Sequence, residues 1–170
     1  MKRMLALPLW LMLCVAHVAA AEDIAAELHL QNMKQPQPHR VASGVIDAKD
    51  LGRMRAAGIK HVINLRTAEE SKGFDEQAIA TGLGLGYHAI PMQGAQSLTR
   101  ENAAKLDELL KQIGDEPVLV HCASGNRVGA LISLREAWIN GKSAEAAIAE
   151  GKRWGLTSME GAVRSALTNP

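Results

Sequence analysis

Val118-Leu119-Val120-His121-Cys122-Ala123-Ser124-Gly125-Asn126-Arg127-Val128-Gly129 is the stretch whose reading decides the fold. It opens on a short apolar run, rich in β-branched valine, directly after Pro117. It continues into Ala130-Leu131-Ile132-Ser133-Leu134-Arg135-Glu136-Ala137-Trp138, which is apolar at helical spacing. The order is therefore strand, tight loop, helix. Cys122 falls at the carboxyl end of a buried strand, and Arg127 falls where the helix opens. Inward-turned N–H groups of Ala123, Ser124, Gly125 and Asn126, together with the positive end of the helix dipole, make a seat for an oxyanion. The same field favours the thiolate of Cys122, which marks it as a nucleophile. Arg127 adds a planar fork for two oxygens of a tetrahedral anion, each charge-assisted bond contributing about 1.5–3 kcal/mol. Gly125 gives the loop a backbone conformation that a Cβ resists.

His121-Cys122-x-x-Gly125-x-Arg127 resembles the active-site loop of the cysteine-dependent phosphatases, one residue shorter between cysteine and arginine. Together with Ser43-Gly44-Val45-Ile46-Asp47, Asp50-Leu51, Ala57-Gly58-Ile59-Lys60 and Val62-Ile63-Asn64-Leu65-Arg66, it is similar to a bacterial branch of the dual-specificity phosphatase superfamily. That branch is the phosphatase-like domain of beta-lactamase-hydrolase-like proteins. The resemblance implies a phosphoester hydrolase of double-displacement type, with Cys122 attacking phosphorus and Arg127 holding its oxygens. His121 would tune the sulfur through the loop. It also marks two departures. Residues 90–97, where such phosphatases carry an aspartate as general acid, hold no carboxylate. Val128 stands where a hydroxyl usually follows the arginine and eases departure of the thiolate. Proton delivery to a leaving oxygen contributes ~10²–10⁴-fold, so the first departure favours aryl phosphates over seryl or threonyl ones. Glu69, Glu70 and His88 are the candidates to replace the acid.

The chain has 170 residues, one domain's worth. Met1-Lys2-Arg3-Met4 is a basic lead, residues 5–18 are mostly apolar, and Ala19-Ala20-Ala21 precedes Glu22. This is the layout of a secretory signal peptide over residues 1–21, shorter in its apolar run than a spanning helix needs. Its removal places the protein in the periplasm or outside the cell, with no membrane attachment. Cleavage removes Lys2, Arg3 and Cys14, leaving a near-neutral chain with Cys122 as its lone cysteine. No basic field remains for nucleic acid. An unpaired thiol in an oxidising compartment is either inert or kept for reactivity, and the loop favours the second. The expected partner is a phosphorylated small molecule or a phosphoprotein, with no metal and no organic cofactor.

Residues 22–40 are polar and proline-punctuated and read as an irregular, extended lead-in; His29 and His39 have no second pair at ligand spacing and read as solvated. The domain proper spans 41–170. Strands are expected at 41–44, 60–65, 87–90 and 118–121. Helices are expected from a cap at Asp47 to Gly58, over 74–81 with Ala78 and Ile79 inward, from a cap at Thr99 to Gly114, over 126–138, and over 143–150 and 159–167. Gly82-Leu83-Gly84-Leu85-Gly86 follows a helix, so it reads as a helix stop and not as a dinucleotide site. The class is α/β: a single domain with a central parallel sheet of about four strands and helices on both faces, like the cysteine phosphatases. Ligands in such sheets bind beyond the carboxyl ends of the strands, which brings in Asn64 and Arg66 as supporting residues. Rhodanese-like sulfurtransferases share a Cys-x-x-Gly-x-Arg loop, and a non-catalytic oxyanion or phosphoprotein binder needs no general acid. Both stand as alternatives.

Overall fold

The computed structural model describes residue 24 and residues 28–168; the signal-peptide segment lies outside the described residues. Five strands form one sheet: β1 (Lys34–Gln37), β2 (Arg40–Ser43), β3 (His61–Asn64), β4 (Gly86–Ala89) and β5 (Val118–His121), in the order β1-β2-β5-β3-β4. β2, β5, β3 and β4 are mutually parallel, which are the four strands expected. The fifth, β1, pairs antiparallel with β2 at the edge and lies in the segment read as an irregular lead-in. Pro36 sits within it, which is tolerated at an edge because a missing N–H costs no ladder bond there.

The sheet is covered on both faces, so its central strands are apolar at every position instead of alternating. Ala42, Ile63, Val118 and Val120 point to one side and pack with Leu106, Leu110, Leu131 and Leu134. Val41, Val62 and Leu119 point to the other and pack with Leu51, Met54 and Ala80. Helices α1 (Ala48–Ala56) and α2 (Glu76–Gly82) cover the second face; α3 (Arg100–Ile113), α4 (Asn126–Trp138), α5 (Ala144–Arg153) and α6 (Glu160–Thr168) cover the first. The caps read from the sequence are in place. Asp47 and Asp50 make a reciprocal capping box, Thr99 Oγ1 accepts from Asn102 N at 3.2 Å, and Gly114 ends α3 at φ +61°.

One helix is phased differently from expectation. In α2 the inward residues are Glu76 and Ala80, while Ala78 is exposed and Ile79 half-buried. A carboxylate on the inner face breaks the apolar pattern from which the phase was read.

α4 runs through the centre and is buried on nearly every side. α5 crosses it at the glycines. A Cβ at Gly129 would lie 2.1 Å from Leu156 N and 2.4 Å from the Gly151 carbonyl. The register puts Ser43, His121 and Asn64 in one row across β2, β5 and β3, so the segments that follow all emerge at the same sheet end.

Candidate active site

The loop between β5 and α4 carries Cys122 to Arg127. Three bonds hold it: Cys122 N donates to the Ser43 carbonyl at 3.4 Å, Val45 N to the Ala123 carbonyl at 3.3 Å, and Asn32 Nδ2 to the Ser124 carbonyl at 3.2 Å. Gly125 turns the chain at φ +87° into the first turn of α4, the conformation for which a glycine was expected. Its N–H points at Cys122 Sγ, 3.1 Å away. Cys122 is wholly buried under this loop, with none of its surface exposed.

Arg127 reaches over the loop. Its Nη1 donates to Glu70 Oε2 at 2.8 Å, to the Met92 carbonyl at 2.6 Å and to the Leu65 carbonyl at 3.3 Å; its Nη2 donates to Glu70 Oε1 at 2.5 Å. These bonds engage both Nη atoms of the guanidinium. Glu70 strengthens the guanidinium's hold on its proton against the opposing effect of burial, and the Cys122 sulfur, which it also meets, adds in the same direction. Reciprocally, Arg127 holds the Glu70 carboxyl down to about 2, against the desolvation that would raise it. Glu70 sits in a short 3-10 turn (Glu69–Ser71), whose own carbonyl accepts from Arg66 Nη2. Arg66 thus anchors the turn that aims Arg127.

Thr67, Glu69, Glu70, Gln93, Gly94, Ala123, Ser124, Asn126, Arg127 and Met159 line an open pocket of about 460 Å³ above the loop. The loop residues expected to bind substrate are therefore together, with Gly125 just below. The Asn126 side chain has a job that the sequence reading, which used only its N–H, did not assign. Its Oδ1 accepts from Thr157 N at 2.8 Å and Met159 N at 3.3 Å, and its Nδ2 donates to Ser158 Oγ at 2.7 Å, fastening the loop to the segment before α6.

Of the candidate acids, Glu70 is committed to Arg127, and Glu69 lines the pocket while pairing with Lys72. His88 is not at the pocket. It lies 3.5 Å from His61, which in turn meets Glu116 at 2.6 Å, and burial followed by the His61 charge pushes its pKa down. Val128, a hydrocarbon side chain with no hydroxyl to offer the loop, is buried in the core.

Beneath the loop lies a polar network that the sequence reading lacked. His121 Nε2 is 2.7 Å from Glu76 Oε1, and Glu76 Oε2 accepts from Asn64 Nδ2 at 3.0 Å. Asn64 also donates to the Tyr87 hydroxyl at 3.0 Å and accepts from Arg66 N at 2.6 Å. His121 and Glu76 are 0% and 2% exposed. Burial, with the Glu76 charge, pushes the Tyr87 phenol up, while the Asn64 bond pulls it back. Asn64 was expected as a supporting residue; Glu76 was not, because a glutamate opening a helix ordinarily reads as a solvated first-turn acid. Among the described residues no cluster of three metal-ligating side chains occurs, and His29 is exposed. No helix among the described residues is long and apolar enough to cross a membrane.

The sequence profile of the tyrosine phosphatase family matches residues 42–135. Comparison with curated protein sequences gives no significant match. Among solved structures, a phosphatase-like protein of Shewanella putrefaciens CN-32 is similar at TM-score 0.65 and 22% identity, over 88% of this chain and 97% of that one. One from Neisseria meningitidis Z2491 is similar at TM-score 0.66 and 22% identity, over 82% and 98%. Pseudomonas aeruginosa TpbA is similar at TM-score 0.58 and 18% identity, over 82% and 85%. At these identities the likeness establishes a shared fold.

Proposed function

The chain belongs to the tyrosine phosphatase family, and from that premise we propose that it is an exported phosphatase that cleaves phosphate monoesters through a phospho-cysteine intermediate. The observation that carries this reading is the loop itself, where the Gly125 N–H is aimed at Cys122 Sγ and the Arg127 fork is fixed by Glu70 over the same sulfur. In the first step Cys122 Sγ bonds to phosphorus and the ester P–O bond breaks. Loop N–H groups and the Arg127 guanidinium stabilise the charge gathering on the equatorial oxygens. In the second, water attacks phosphorus, the S–P bond breaks, and inorganic phosphate leaves the regenerated thiolate.

The substrates are esters with weakly basic leaving oxygens, foremost aryl phosphates. No carboxylate comes from residues 90–97, and Glu70 is held at about 2, far too acidic to carry a proton at neutral pH. TpbA, which shares the fold, has been crystallised with phosphotyrosine. Export follows from residues 1–21, with Glu22 as the first residue of the mature chain. The physiological partner is a phosphorylated small molecule or phosphoprotein met outside the cytoplasm, without a role for nucleic acid.

The test is hydrolysis of 4-nitrophenyl phosphate by the mature protein beside Cys122→Ser, with thiosulfate and cyanide offered separately. Phosphate release that is abolished by the substitution is the expected result. Thiocyanate formation instead points to a rhodanese-like sulfurtransferase. Neither product, with vanadate still bound, points to a non-catalytic oxyanion binder.

A further inference from the structure

We propose that Glu76 is a positioning residue for the nucleophile, acting through His121 to fix the Cys122 loop against the carboxyl end of the sheet. The proposal deepens the phosphatase reading and rests on it for the reaction concerned. Glu76 has no route to the pocket: it is 2% exposed and lies on α2, on the sheet face opposite α4. Both of its oxygens are nonetheless spent, one on His121 Nε2 and one on Asn64 Nδ2. His121 is the residue directly before Cys122, and its main-chain carbonyl accepts from Leu65 N at 2.9 Å. A ring held at Nε2 therefore fixes the last residue of β5, and with it the direction in which Cys122 leaves the strand.

The hydrogen-bond inventory makes the carboxylate difficult to replace. Asn64 Nδ2 spends its two hydrogens on Glu76 and Tyr87, and its oxygen is taken by Arg66 N, so it always presents a donor to Glu76. One proton lies between Glu76 Oε1 and His121 Nε2. An amide at position 76 offers a single acceptor for these two partners. Turned toward Asn64, it sets its NH₂ against His121 Nε2 and forces the ring proton onto Nδ1. Turned toward His121, it sets donor against donor at Asn64. His121 Nδ1 is buried with no hydrogen-bond partner among the described residues, so a proton moved there finds no acceptor. The carboxylate is the side chain that satisfies both neighbours and keeps the ring in one tautomer.

The experiment compares wild type, Glu76→Gln, His121→Asn and the double variant, each checked for folding by thermal unfolding. Two readouts are used: steady-state hydrolysis of 4-nitrophenyl phosphate, and the rate at which iodoacetamide alkylates Cys122. In E76Q the expected result is a loss of about tenfold or more in both kcat and alkylation rate, with KM within about twofold, tenfold corresponding to about one hydrogen bond. In the His121→Asn background the same substitution costs nothing further, because its effect passes through the ring. Equal losses in both backgrounds, or alkylation of E76Q at the wild-type rate, overturn the proposal. If wild type hydrolyses no phosphate ester while the alkylation pattern holds, the phosphatase reading falls and the role of Glu76 stands. If hydrolysis occurs while E76Q alkylates normally, Glu76 falls and the phosphatase reading stands. Should E76Q fold poorly, Glu76→Asp, which keeps the charge but withdraws the carboxylate from His121 Nε2 by one methylene, carries the same comparison.

Discussion

Arg127 meets Glu70 end-on, and that geometry determines what the pair does. Both Nη atoms are engaged by the carboxylate, and Nη1 also by the Leu65 and Met92 carbonyls, so the guanidinium plane is fixed before any substrate arrives. Pre-orientation of a bidentate donor lowers the ordering cost of binding an oxyanion. Glu70→Ala is therefore expected to weaken vanadate binding and lower kcat/KM by about 10- to 100-fold, the loss of roughly one charge-assisted bond. Isothermal titration with vanadate checks this, and tighter binding by the variant would show that Glu70 blocks the fork instead of aiming it. At this scale the sequence disclosed Cys122 and Arg127 because their chemistry depends on local spacing within one strand-to-helix turn. It disclosed Glu70 only as one acid among three candidates. Glu76 was hidden because its partner lies 45 residues away and its burial is set by the tertiary fold.

The elements that place the site were readable where their patterns follow from packing. The central strands are uniformly apolar because both sheet faces are covered, and α3 shows a clean helical stripe ended by Thr99 and Gly114. β1 was read only as an extended lead-in, since an edge strand containing Pro36 and flanked by polar residues carries no such pattern. It is tied down by a contact remote in sequence, from Arg153 to the Pro36 carbonyl. α4 depends on a glycine in a way that composition does not reveal. Because a Cβ at Gly129 would strike the backbone of Leu156 and Gly151, neither of which can rotate away, Gly129→Ala must push α5 off α4. Overpacking of this kind costs about 1–3 kcal/mol or more, and the rigid backbone neighbours put it at the upper end. Urea unfolding measures the loss directly. Wild-type stability in the variant would mean that α4 and α5 approach less closely than described.

For the molecule as a whole, the ion pairs give stability a definite acid limb. Arg127 holds Glu70 at about 2 against an ordinary value of 4.5, so the folded state binds that proton less readily than the unfolded chain. The contribution is complete above pH 4.5 and is lost as the pH falls toward 2. Asp107 acts in the same direction: burial raises its pKa, but Lys111 and Arg135 more than offset this. The melting temperature is thus expected to fall below about pH 5, beyond the loss that His88, whose pKa burial depresses, already brings as the pH drops below its ordinary 6.5, and the fall below pH 5 is shallower in Glu70→Gln. Identical acid limbs in the two proteins would contradict the assignment. The fold class was accessible from sequence because four strand-and-helix units repeat along the chain, whereas the antiparallel fifth strand depends on how the lead-in returns beside β2. The account as a whole turns on whether the Cys122 sulfur takes the phosphoryl group. Rapid-quench mixing of the mature protein with excess 4-nitrophenyl phosphate tests that claim most directly. With Val128 slowing the second step, the account predicts a burst of nitrophenol equal to the enzyme concentration, then slower turnover, with no burst from Cys122→Ser. Linear release from the first turnover, undiminished in Cys122→Ser, would contradict it.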